Sequence, residues 1–532
     1  MRKYSNHYEI LDENYQDNPD EISYERVRRL STTDDTEEIL KAMKGEDGEQ
    51  STRKKISFLP IIGIIIFCII YLCPIFSQYP TAHTCLAILI LSGYLWGTDI
   101  IPSYITAYLM PFLAVWFSIG YDEKTGERIP ANQMAVKITS KFMDPIIFLF
   151  LGSMTMSAAL TKLQITDRIS AFALSKISLK PKTILMTIMI LNFSTASFLS
   201  NIASTTLLLN FSLTIIRSLD PEDPFIKQLL LGLAWSGNAG GLVTTIASVQ
   251  NILAIKYINE SGAASISFIS WISFAGPTAA IILFGCYFFL ILRYKASHEN
   301  LKIDVNQRNN DFGKWTWKHT FASAITIITI ICWAMQESFP KFFGHVGITA
   351  LIPLIAFFST RILDSDDFGS IRWSTLSLMG GGIALGEAMN SSGLLKLLSD
   401  DISNLMDGIP LFFVVMIFLV IIGVLVSVIN HTSAAAILFP VLNQIGLKLG
   451  NPTIFLTLSA MMIGCAQLFH ISSFPTALVS GVQKHFKDEP HKLSQEHFLK
   501  GPEFFLSGWP VVLGSAIIIG TIGYFLVVYL KI

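Results

Sequence analysis

Charge is what most of this sequence lacks. Its 532 residues carry 77 charged side chains, and 24 of them fall within residues 1–56. The remaining 476 positions are only about 11% charged, against ~25% in soluble domains. An ordinary soluble protein is excluded, and the apolar body is read as embedded in lipid. Neither sign prevails, with 38 basic and 39 acidic residues, so there is no electrostatic footprint for nucleic acid. The opening residues lack the basic-then-apolar order of a cleaved signal. Cysteine is scarce as well: Cys68, Cys73, Cys85, Cys286, Cys332 and Cys465 show no paired metal-ligand spacing and read as buried free thiols. No nucleophile, base and orienting group fall at recognisable spacings, and His431 and His470 lack a carboxylate-bearing metal motif, so neither an enzyme nor a cofactor is expected.

What is present is a charge-rich tail followed by apolar clusters. Residues 1–56 have no apolar periodicity and predict a disordered cytoplasmic tail. Within it Arg28 Arg29 Leu30 Ser31 would suit a basophilic kinase, which makes Ser31 a regulatory candidate. Residues 57–80 predict a first transmembrane helix. Seven clusters precede a polar connector, 293–318, whose Arg293, Lys295, Lys302, Arg308, Lys314 and Lys318 place it in the cytoplasm. If the N-terminus is cytoplasmic too, an even number of crossings lies between them and one of the seven does not cross. Six clusters follow, and a second non-crossing one leaves about eleven spans. Two segments with glycine in mid-run, 143–165 (Gly152) and 371–395 (Gly380 to Gly382), are the expected re-entrant hairpins, whose turns must avoid lipid.

Other features recur at the same offset. Ser200 Asn201 Ile202 lies about 230 residues before Asn430 His431 Thr432, and Gly240 Gly241 with Ala247 Ser248 lies about 225 before His470 with Ser472 Ser473. A leading span followed by two repeats of five, over 81–292 and 319–532, inserts the second copy upside down. This is the inverted-repeat plan of secondary transporters, with sites near the midplane where paired helices break. The apolar run around Ser200 is about 36 residues, or ~54 Å as one helix, against ~30 Å of hydrocarbon, so a break is expected there and likewise at Asn430.

The residues at these breaks suit ions of both signs. Hydroxyls and amides offer oxygen to sodium, and exposed N–H groups at a half-helix start receive an anion. They also serve as ordinary interhelical hydrogen bonds. His431 is ionisable at depth and reads either as an anion contact or as a neutral imidazole satisfied by a backbone carbonyl. Asp99 and Glu387 read as structural. The expected site contains no Arg or Lys. Moving a dianion into a compartment negative by ~100 mV costs about 4.6 kcal/mol, which two co-transported sodium ions cancel.

The strings WGTDIIP, DPIIFLFLG and GGGIALGEAMNSSGLL, together with the paired polar motifs, resemble the divalent anion/sodium symporters of the ion transporter superfamily over nearly all of 57–532. SNIASTTLLLNFSLTIIRSL, PFIKQLLLGLAWSGNAGG and VINHTSAAAILFPVLNQIG resemble the fungal low-affinity phosphate transporters in particular. The resemblance implies an all-α polytopic membrane protein of about eleven transmembrane helices and two hairpins. It also implies scaffold and elevator-type transport domains, a homodimer, and sodium-coupled phosphate symport; sulfate or di/tricarboxylate symport and proton coupling are the alternatives, an anion channel the remote one. By position it implies one sodium site at Ser200, Asn201, Ala247 and Ser248, and a second around His431, Thr432 and Ser472. Substrate contacts would be Ser200, Asn201, Asn430, His431, Thr432 and Ser473. Ile202 replaces the family's Thr, His431 its Asn and Phe474 its usual Pro, which leaves sodium stoichiometry open. Fifty-six residues before the first span hold no large regulatory domain of the fungal kind, so phosphate sensing through one is expected to be absent. The membrane could be the plasma membrane or that of a vacuole or other organelle.

Overall fold

The computed structural model describes residues 59–531 apart from 74, 77, 123–126, 177, 179, 263–265, 297–311, 337, 407 and 487–492. The tail with Ser31 and the middle of the connector lie outside the described residues. The chain is a succession of helices: α1 (Leu59–Leu72), α2 (Pro80–Thr98), α3 (Ser103–Trp116), α4 (Ala131–Phe142), α5 (Pro145–Lys162), α6 (Ile165–Leu174), α7 (Pro181–Phe198) and α8 (Asn201–Arg217). Then come α9 (Pro224–Gly240), α10 (Val249–Ser261) and α11 (Phe268–Arg293). The second half holds α12 (Trp317–Met335), α13 (Leu351–Ser359), α14 (Trp373–Ser391), α15 (Leu394–Met406), α16 (Leu411–Val428) and α17 (His431–Lys448). It ends with α18 (Pro452–Cys465), α19 (Phe474–Ser480) and α20 (Gly501–Ile518), the last running on through a π turn. Proline fixes many of the starts. Pro145 and Pro224 follow Asp144 and Asp223, whose carboxylates cap the N–H of Ile146 and Phe225 at 3.0 and 2.8 Å.

The two apolar runs that are too long for one crossing fold back on themselves. At Leu199 and Ser200 the backbone is extended, and Asn192 of α7 meets the first turn of α8: its oxygen accepts from Ser204 at 2.7 Å, and its nitrogen lies 3.3 Å from the Thr205 hydroxyl. In the second half Phe455 of α18 packs against the Phe418 ring at 4.9 Å and lies where a Cβ on Gly446 would meet it at 3.4 Å. In a straight helix those two positions would stand ~42 Å apart, so the chain reverses between them, at Ile429 and Asn430. Both runs are helical hairpins with the polar motif at the tip.

The glycine-bearing segments expected to be hairpins are not interrupted at glycine. Gly152 lies inside α5 and Gly380 to Gly382 inside α14, and the chain turns instead at Gln164 (φ 53°) and Gly393 (φ 80°). Their glycines serve close packing. A Cβ on Gly152 would stand 2.0 Å from the Ala350 carbonyl oxygen; on Gly380, Gly381 and Gly382 it would strike Phe142, Ala107 and Ala436, one neighbour on each of three faces. Mid-run glycine marks contact as well as turning, and here contact decides.

The core has two parts. A smaller one joins α2, α3, α4, α14 and α15 through residues such as Ile88, Met110, Ile138, Leu385 and Leu394. The larger one contains both hairpins, with α9 and α18 at its centre, each almost wholly buried. Outside, α16 exposes Phe413, Ile417, Val420, Ile421, Val424, Leu425 and Val428 at helical spacing, an apolar stripe suited to hydrocarbon. Cys85, Cys286 and Cys465 are buried as expected, whereas Cys68 and Cys73 are exposed at the end of α1, because its apolar surface faces outward on most sides.

Candidate functional site

Four interruptions meet at one cavity of about 1180 Å³. Its wall includes Ser200, Asn201 and Ile202 from the first hairpin tip, and Asn430, His431 and Thr432 from the second. Ala247 and Ser248 come from the break between α9 and α10, and His470 and Ser473 from the break between α18 and α19. Opposite them stand Trp96 to Asp99, Ser103, Tyr104 and Leu378, from elements of the smaller core. The cavity therefore lies between the two packed bodies.

At each tip a small polar residue stops one helix and starts the next. Ser200 Oγ accepts the Ile202 N–H at 3.3 Å, Asn430 Oδ1 that of Thr432 at 3.0 Å, and Ser473 Oγ that of Thr476 at 3.3 Å. Each cap satisfies one terminal N–H and leaves others of the first turn without an intrahelical partner, at residues on or beside the cavity wall. The 241–248 break is held by Asn251, whose amide nitrogen donates to the carbonyls of Gly241 and Thr244, both at 2.8 Å. Gly241 is required: a Cβ there would lie 2.5 Å from Ser248 Oγ and 3.4 Å from Asn201 Cβ. Asn238 joins the two halves of the chain by donating to Gln467 Oε1 at 2.8 Å and Ser473 Oγ at 2.9 Å.

Buried oxygens remain without a donor: Ser248 Oγ, Asn251 Oδ1 and Asn238 Oδ1 around the first break, and Ser433 Oγ in the second hairpin. Unmatched acceptors in a dry interior suit a cation of the hard, oxygen-preferring kind. Among the described residues no cluster of His, Cys, Asp and Glu suits a transition metal.

Of the residues expected from sequence, the structure brings Ser200, Asn201, Ala247, Ser248, Asn430, His431, Thr432 and Ser473 to the cavity. Ser472 is buried behind its wall, with its hydroxyl donating to the Phe469 carbonyl at 2.8 Å. His431 adopts the carbonyl-satisfied arrangement, its Nε2 donating to Ala466 O at 2.6 Å. A neutral imidazole so placed offers Nδ1 as an acceptor, which suits a cation or a hydroxyl, the P–OH of a hydrogenphosphate included, and not an unprotonated phosphate oxygen. Glu387 is ion-paired with Lys137 at 2.9 Å, and Asp99 accepts from Ser103 at 2.8 Å.

The site is not free of arginine, contrary to the expectation: Arg372, just before α14, lines the cavity with its guanidinium carbon 4.7 Å from the centre of the Phe474 ring. The sequence signal is a single basic residue between Ile371 and Trp373, at the edge of a segment whose glycines predict a separate hairpin. Asn192 and Asn238, polar residues inside otherwise apolar helices, were likewise missed. Beyond the cavity, Lys162 pairs with Asp364 and Asp367 and holds the Asp364 carboxyl down at about 2, tying the end of α5 to the turn before α14.

The chain is similar to several transporters. An uncharacterized transporter of Schizosaccharomyces pombe is 30% identical over 462 residues, 86% of this chain and 51% of that protein. The inorganic phosphate transporter PHO87 of Saccharomyces cerevisiae is 28% identical over 84% of this chain and 47% of its own length. The chain thus spans about half the length of these fungal relatives. The sodium-dependent dicarboxylate transporter SdcS of Staphylococcus aureus is 25% identical over 81% of this chain and 87% of its own. Among solved structures the YdaH transporter of Alcanivorax borkumensis shares the fold, with a TM-score of 0.51 and 11% identity over 81% of this chain and 98% of that one. These relatives are transporters, and no catalytic family is indicated. The sequence profile described as citrate transporter matches residues 86–466 and 345–532, taking in both hairpins and both broken helices that build the cavity; the chain belongs to that family, within the ion transporter group to which its polar motifs point.

Proposed function

We propose that the protein is a secondary active transporter that symports inorganic phosphate with sodium, by an elevator movement of the larger packed body against the smaller. The observation that carries this reading is the meeting of two symmetry-related hairpin tips and two helix breaks at one cavity, where capped helix starts favour an anion and donor-less buried oxygens favour a cation. PHO87 supports phosphate as cargo and SdcS supports sodium as its companion. The position of the cavity between two cores, which share α14, supports movement of one against the other.

In this reading the eleven crossings are α1, α2, α3, α4 with α5, α9 with α10, α11, α12, α13 with the turn before it, α14, α18 with α19, and α20. The hairpins α7–α8 and α16–α17 enter and return. A cytoplasmic connector then puts Asp99, Arg372 and the 483–497 strands at the cytoplasmic end, so the cavity opens inward. We keep the domain division of 81–292 and 319–532 as inverted repeats, the N-terminus in the cytoplasm and a homodimer as parts of the proposal.

The second reading, a sulfate or di/tricarboxylate symporter, is favoured by the family profile and by SdcS. Uptake of labelled phosphate, sulfate and succinate into proteoliposomes, with and without an inward sodium gradient and at two pH values, separates them. Phosphate uptake that rises with the sodium gradient is expected. Uptake indifferent to sodium removes the coupling, and succinate uptake without phosphate uptake removes the substrate.

A further inference from the structure

Several cations near the cytoplasmic end of the molecule are paired: Lys162 with Asp364 and Asp367, Lys227 with Glu503, and Lys484 with Glu222. Arg372 is different. It stands on the cavity wall, among the described residues no carboxylate lies within ion-pair distance of it, and its guanidinium rests on the face of Phe474. Phe474 directly follows Ser473, which caps α19 at the cavity. Arg372 also precedes α14, which packs in both cores, Leu378, Leu385 and Met389 in the smaller and Leu376, Met379 and Ile383 in the larger, while the break carrying Phe474 packs with the larger one.

Resting on the phosphate reading, we infer that Arg372 is a specificity-determining contact for the transported oxyanion on the cytoplasmic side, receiving it between the helix tips and the open mouth. A guanidinium presents parallel N–H donors in a plane, which matches two oxygens of phosphate or sulfate, and it stays charged at any physiological pH. A cation–ring contact is weak beside a charge-assisted, two-point hydrogen-bonded pair with an oxyanion, so an arriving anion displaces it readily. The Arg372–Phe474 contact ties the start of α14 to that of α19 at the inward mouth. If the larger body slides away, the anion leaves the reach of Arg372, so its influence belongs to the cytoplasmic face.

The test uses full-length wild type, Arg372→Gln and Arg372→Lys in oriented proteoliposomes, with half-saturating concentrations measured separately from each face for phosphate, sulfate and succinate. Folded yield and thermal unfolding are measured alongside. For whichever anion the wild type carries, Arg372→Gln is expected to raise the cytoplasmic half-saturating concentration about tenfold or more relative to any change at the outer face, with partial recovery in Arg372→Lys. An unchanged cytoplasmic value, or equal rises at both faces, overturns the assignment. Transport of succinate or sulfate but not phosphate by the wild type sinks the proposed substrate, while the Arg372→Gln comparison on that anion still decides the role of Arg372.

Discussion

The two helix breaks that line the cavity are related by the sequence offset yet differ in their hydrogen-bond balance. In the first, Asn251 pins two carbonyls, while Ser248 Oγ, Asn251 Oδ1 and Asn238 Oδ1 are buried acceptors with no donor. In the second, Thr476 stands 225 residues after Asn251 and donates to the His470 carbonyl at 2.8 Å; Ser473 Oγ receives Asn238, and His431 serves Ala466. Three unmatched oxygens surround the first break, whereas near the second the unmatched one is Ser433 Oγ of the adjoining hairpin tip. Since an unmatched buried acceptor costs about 1–3 kcal/mol, a bound cation restores more at the first break than at the second. On the proposed sodium coupling, the demand for the cation would be concentrated in the first half, and His431 stands where that demand would be smaller.

The strongest way to break this comparison is to unpin the first break. Asn251→Ala removes both short carbonyl contacts and leaves the Gly241 and Thr244 oxygens buried. Sodium-driven uptake is expected to fall by more than ~100-fold, and folded-state stability by about 3 kcal/mol, read by tracer uptake and thermal unfolding in detergent. Thr476→Val in the second break removes one donor and should lower uptake by only about tenfold. Equal losses would mean that the two breaks are equivalent after all. Asn201→Ala, at the first hairpin tip beside Gly241, is expected to abolish transport with folded protein retained; unchanged transport would remove Asn201 from the site.

A paired substitution sharpens the contrast. Ser248→Ala deletes an unbonded oxygen, so stability should change little while the half-saturating sodium concentration rises about tenfold, the equivalent of ~1.4 kcal/mol. Ser473→Ala deletes a helix cap and the acceptor for Asn238, so stability should drop by about 1 kcal/mol with sodium dependence altered less than about threefold. Sodium titrations of uptake alongside unfolding curves check both; the reverse pattern would transfer the cation demand to the second half.

Much of this arrangement is legible before any coordinates. Ser200, Asn201, Asn430 and Ser473 stand out because polar residues interrupting runs too long to cross once must mark breaks, and recurrence at a fixed offset tells them from incidental hydrogen-bonding groups. What hydropathy does not carry is direction: a helix that breaks and continues and a helix that breaks and returns have the same apolar content. Only contacts such as Asn192 with Ser204 distinguish them. For the same reason the glycines of α5 and α14 misled. Gly381 against Ala107 is a partnership between residues 274 positions apart, and no local pattern encodes it. Arg372 was passed over because its segment had been given another place in the fold.

The smallest effect expected concerns His431. Neutral imidazole has one N–H, and the 2.6 Å distance to Ala466 O assigns it to Nε2. Glutamine can extend its amide nitrogen to about the position of Nε2, whereas asparagine is too short and reaches only that of Nδ1. His431→Gln should therefore preserve the bond that ties the second hairpin tip to the break after α18, with uptake within about threefold of wild type. His431→Asn leaves the Ala466 carbonyl unmatched and should lower uptake about tenfold. The pH profiles of wild type and His431→Gln between pH 6 and 8 should superimpose, because a residue that stays neutral in both proteins contributes no titration of its own. A profile that flattens in His431→Gln would instead assign the histidine a charge that changes during transport; Ala466 would then be only its resting partner, and proton coupling would replace the cation asymmetry between the two breaks.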